Sequence, residues 1–63
     1  MQFFIILQFD NKKVIGVYQA TNAIDALYQS EVNHGRIRQD QGVDRWYTIN
    51  DKGDTEFLVI GNC

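Results

Sequence analysis

The sequence predicts an α+β domain on the plan ββαββ, a four-stranded, mainly antiparallel sheet with one helix packed on one face. Three observations predict it. Two β-rich runs precede a single stretch of helical period, two more follow it, and each pair is joined by a short polar segment. The chain has 63 residues with no proline, no internal repeat and no low-complexity stretch, so residues 1–63 read as one domain.

The first run, Gln2-Phe3-Phe4-Ile5-Ile6-Leu7-Gln8-Phe9, is too short for an independent helix and rich in β-formers, which predicts a strand. Asp10-Asn11-Lys12-Lys13 supplies turn chemistry, and Val14-Ile15-Gly16-Val17-Tyr18-Gln19 returns as the second strand of a hairpin. From Ala20 the period changes. Thr21 or Asn22 can cap a helix, and Asp25 places a carboxylate in the first turn, where the positive end of the helix dipole favours it. Ile24, Leu27, Tyr28 and Val32 then form an apolar stripe of about three turns, with Ala20, Ala23 and Ala26 filling its narrow contacts. Asn33-His34-Gly35 is the predicted stop, with Gly35 at the left-handed position and His34 serving the last carbonyls. Residues 36–44 show no sustained period and read as a loop. Strands at Arg45–Ile49 and Thr55–Ile60 flank a turn in which Gly53 takes a positive φ.

Composition removes several functions. A small domain usually needs a staple, but Cys63 is the single cysteine and His34 the single histidine, so an intrachain disulfide is impossible and a four-ligand zinc site is not expected. Scarce cysteine suits a reducing, cytoplasmic setting, with Cys63 as a terminal thiol open to intermolecular disulfides. Residues 50–56 lack the spacing of a calcium loop, and the glycines at 16, 35, 42, 53 and 61 are too dispersed for a phosphate loop. His34 and Cys63 have no third group to orient them as a catalytic pair. No metal, no cofactor and no enzymatic activity are therefore expected. The Phe3–Leu7 run is far too short to span a bilayer, and the net charge of −2 runs against nonspecific nucleic-acid binding.

One helix cannot cover both faces of a sheet whose strands carry large apolar groups on each side. Phe3, Ile5, Leu7 and Phe9 oppose Phe4 and Ile6; Ile15 and Val17 oppose Val14 and Tyr18; Trp46 and Thr48 oppose Tyr47 and Ile49; Phe57 and Val59 oppose Leu58 and Ile60. An uncovered apolar face marks an interaction surface. Arg36, Arg38 and Arg45 gather in or beside the 36–44 loop, and arginine suits bidentate contacts to carboxylates or phosphates. The expected binding residues are Phe4, Tyr18, Arg36, Arg38, Arg45, Trp46 and Tyr47. The alternatives are that the loop folds over the free face, that the face makes a homodimer, or that its aromatics and the loop arginines bind single-stranded nucleic acid.

The junction Val17-Tyr18-Gln19-Ala20-Thr21-Asn22-Ala23-Ile24-Asp25-Ala26-Leu27, a strand running into a capped, alanine-rich helix, resembles those of very small bacterial and phage-encoded ββαββ domains, including anti-CRISPR-type inhibitors. The resemblance implies inhibition without catalysis, by occupying the surface of a host protein or nucleoprotein complex. The sequence thus points to a compact protein-binding module.

Overall fold

The computed structural model describes residues 2–39 and 44–62, apart from the side chain of Asn62. Met1, Cys63 and residues 40–43 lie outside that range, and with them the terminal thiol and part of the expected loop. The elements are β1 (Gln2–Gln8), β2 (Val14–Ala20), α1 (Ala23–Ser30), β3 (Arg36–Gln39), β4 (Arg45–Ile49) and β5 (Thr55–Asn62). Among the described residues the α+β class and one helix agree with the sequence reading, but the sheet has five strands rather than four. Its order is β2-β1-β5-β4-β3, every neighbouring pair antiparallel, so β5 closes the gap between two hairpins.

The extra strand lies in the expected loop. Arg-Ile-Arg-Gln has one apolar member, Ile37, which reaches the core while its neighbours stay exposed. This is the alternation of a short edge strand, with too few residues to show a period. Gly35 permits the pairing: a Cβ there would collide with the Ile49 carbonyl oxygen.

The helix is also shorter than its apolar stripe suggests. Asn22 caps it as expected, its Oδ1 accepting from the Asp25 N–H at 2.8 Å. It ends at Glu31, which takes the left-handed conformation (φ 59) and donates its N–H to the Tyr28 carbonyl, so Gly35 plays no part in the stop. Val32 lies beyond the helix, Ile24 and Tyr28 are exposed, and His34 sits outside the last turn with its Nδ1 2.9 Å from the Gly35 carbonyl.

Both hairpin turns carry the expected chemistry. Asn11 Oδ1 accepts from the Lys13 N–H, and Asn50 Oδ1 accepts from the N–H groups of Lys52 and Asp54 while Gly53 takes φ 87.

The helix packs on β2 and β1, burying Ala23, Ala26 and Leu27 against Phe4, Ile6, Ala20 and Val59. Ala20 helps to explain the seat: directly paired residues share a face, and this small, fully buried side chain stands on the same face as Phe4 and Ile6, against the helix, while the space over Gly16 is taken by the Tyr18 ring. Phe4 packs edge-on against Trp46, ring centroids 5.6 Å apart, which carries the core across β5 to β4. Thr48 is fully buried, and its Oγ1 accepts the Phe57 N–H at 3.0 Å where a register shift interrupts the β4–β5 ladder.

A second shift, between Ile6 and Leu7, inserts Ile15 into β2 as a bulge. One extra residue reverses the phase of a strand. Val14 therefore stands with Val17 on the helix-free side while Ile15 turns to the core, which reverses the expected split of this strand's first two residues.

The candidate binding face

The face opposite the helix is built from cross-strand rows. One runs Val17, Ile5, Ile60, Arg45; the next runs Val14, Leu7, Leu58, Tyr47, Arg38; Arg36 stands opposite Ile49 beyond them. Phe3 extends the face at one end, and Phe9 meets Tyr47 edge-on at 6.1 Å between centroids. Only Leu58, at 8% exposure, is buried here; Phe3, Val14 and Val17 are 52–58% exposed. No described helix or strand covers these rows.

The arginines all turn to this face. Arg36 and Arg38 are two residues apart on β3, which separates their Cα atoms by about 6.6 Å, and Arg45 is the diagonal neighbour of Arg38 across the β3–β4 pair, about 7–8 Å away. All three are exposed. Glu56 is the extra residue where the β4–β5 register shifts, and Asp44 immediately precedes Arg45 in the chain. Asp25 and Glu31 lie on the helix side, and Asp10, Asp51 and Asp54 in the turns. A chain of net charge −2 thus holds half its cations on one edge of one face.

The residues expected to bind from sequence divide between the two sides. Phe4 is fully buried under the helix, and Tyr18 and Trp46 are half-buried against the same core. The Tyr18 ring lies across Gly16, whose added Cβ would meet its hydroxyl at 2.6 Å. Tyr47, Arg36, Arg38 and Arg45 share the helix-free face. Phe3, Ile5, Leu7, Val17 and Ile60 join them; the alternation of β1 and β5 already grouped most of these, but it did not say which group the helix would take.

A shallow groove of about 280 Å³ on the helix side, lined by Asn22, Ala23, Ile24, Ile37, Gln39 and Trp46, marks where the short helix stops covering β3 and β4. A polar hollow beside the turns holds Asp10, Asp54 and Glu56. Among the described residues no three His, Cys, Asp or Glu side chains are placed to hold a metal ion, and no helix is long and apolar enough to cross a membrane.

Compared with known protein families, curated proteins and solved structures, the chain shows no significant match.

Proposed function

We propose that the chain is a non-catalytic binding module that docks a protein partner on the helix-free face of its sheet. The observation that supports this best is the convergence of exposed Phe3, Val14 and Val17, the half-buried Ile5, Leu7 and Ile60, and three arginines on one uncovered surface. Apolar rows ending in arginines suit a partner surface that is apolar at its centre and acidic at one rim, the pattern in which buried groups supply affinity and charges supply orientation. Stacking of nucleic-acid bases has less support, because Phe4, Tyr18 and Trp46 belong to the core side and the chain is acidic.

A module without catalytic chemistry acts by occupancy. Inhibition of a host protein or complex, the activity implied by the resemblance to small phage domains, is the role we assign it, in a cytoplasmic setting. The test is affinity capture from host lysate with Arg38→Glu/Arg45→Glu, Phe3→Ser and, as a helix-side control, Ile24→Ser. The specific partner is lost with the first two variants and kept with the third. Loss with Ile24→Ser alone would move the site to the helix side, and Arg-dependent retention of labelled single-stranded oligonucleotide in place of a protein would replace the reading with nucleic-acid binding.

A further inference from the structure

The two edges of the sheet differ in chemistry. The β3 edge carries Arg36 and Arg38 in four residues, the charge pattern that discourages strand addition. The β2 edge, Val14–Ala20, carries no charged side chain and no proline.

Hydrogen bonds just past the β1–β2 pair show which β2 groups point outward. Gln8 donates its N–H to the Lys13 carbonyl and Phe9 donates to the Glu56 carbonyl, so alternate β1 residues turn to β2 and to β5. Phe4–Tyr18 and Ile6–Gly16 are then the hydrogen-bonded pairs, and Val17 and Gln19 turn their N–H and C=O groups away from the sheet. The Gln29 amide donates to the Gln19 carbonyl at 2.9 Å, which blunts one end of this edge, and the bulge at Ile15 bends the other. Val17 is left at the centre of what remains.

We infer that β2 pairs antiparallel with β2 of a second copy of this chain, about a twofold axis at Val17. A strand pairs with itself best when its two ends are complementary, and this one is basic before its start, at Lys12 and Lys13, and acidic after its end, at Asp25. Centring on Val17 and counting past the bulge sets Lys13 of one copy beside Ala20 of the other, on the helix side, and the next residue, Thr21, lies against Asp25, its N–H 3.4 Å from Oδ2. The twofold axis repeats that contact, giving two symmetric Lys–Asp pairs. The product is one ten-stranded sheet. Its two helix-free faces are continuous through the paired Val17 side chains, with the arginine edges at opposite ends. Stacking of two helix-free faces lacks this complementarity, because it sets arginines over arginines or over Val14 and Val17.

Sedimentation equilibrium of the full chain from micromolar to millimolar concentration tests the inference. A reversible monomer–dimer equilibrium is expected. Val17→Pro, which removes an outward donor and no bond to β1, abolishes the dimer while the circular dichroism stays native. Lys13→Glu weakens the dimer about tenfold, since two exposed pairs turn repulsive at once, and adding Asp25→Lys restores it. If Val17→Pro does not fold, the charge reversal and its rescue decide alone. Arg38→Glu leaves the dimer intact, which separates this inference from the binding role of the face. A monomer at every concentration, a dimer untouched by both Val17→Pro and Lys13→Glu, or one broken by Phe3→Ser but not by Lys13→Glu overturns it.

Discussion

Phe3 and Phe4 are adjacent in sequence and opposite in role. Phe4 is fully buried and touches the helix-side core and the Trp46 ring; Phe3 is 52% exposed on the helix-free face. Truncating a fully buried phenylalanine to alanine costs about 3–5 kcal/mol in lost transfer and cavity energy. At about 0.05–0.15 kcal/mol per residue, a 63-residue domain has a total stability of about 3–9 kcal/mol. Phe4→Ala therefore removes between about a third of the margin and all of it. Phe3→Ser gives up only the buried half of one side chain, about 1 kcal/mol. Urea titration followed by Trp46 fluorescence reads both. With a slope of about 1 kcal/mol per molar urea for a domain this small, Phe3→Ser lowers the midpoint by about 1 M, whereas Phe4→Ala lowers it by about 3–5 M. Equal midpoints for the two variants, or a Phe4→Ala protein as stable as the parent, would refute the assignment of the two faces.

Two further predictions concern the frame that holds the face. Thr48→Val keeps the shape of a buried side chain but strands the Phe57 N–H, and it costs about 1–3 kcal/mol, whereas Thr48→Ser keeps the acceptor and costs less. Thermal melts check that order; Ser worse than Val would show that packing, not the hydrogen bond, is what counts there. Gly35→Ala forces a methyl group against the Ile49 carbonyl, so β3 peels from β4 at its first pair, Arg36–Ile49. Hydrogen exchange at residues 36–39 rises several-fold while the β1–β2 amides stay protected; uniform exchange across the sheet would contradict a local effect.

Local chemistry was legible in the sequence, and choices between equal patterns were not. The Asn22 cap, the polar turns and the β1 alternation depend on neighbours a few residues apart and appear where they were expected. The helix end was not legible, because Glu31 takes a left-handed conformation usually left to glycine, and a glycine stood four residues further on. Nor was β3, since one inward isoleucine makes no period. The costliest miss was the side taken by the helix. Phe3, Ile5, Leu7 and Phe9 outnumber Phe4 and Ile6, yet the helix covers the smaller set, where Ala20 of the neighbouring strand gives it a small residue to pack on. Counting small residues on adjacent strands, as well as large ones, is the signal that could have found it. The bulge at Ile15 was beyond alternation altogether, since it breaks the phase on which alternation depends.

The central position of β5 has a consequence for how the binding surface comes into being. Each apolar row crosses from β1 to β4 through β5, and Phe3 pairs with Asn62, nearly the whole chain apart in sequence. Either hairpin can form from local contacts, but each carries only half of a row. Joining them waits for residues 55–62 and closes the longest loop in the fold, the kind of step that makes folding slow. The surface is thus a property of the completed sheet alone: no excised hairpin or linear peptide reproduces it, and a partner that reads the whole face meets it only after the last strand has inserted.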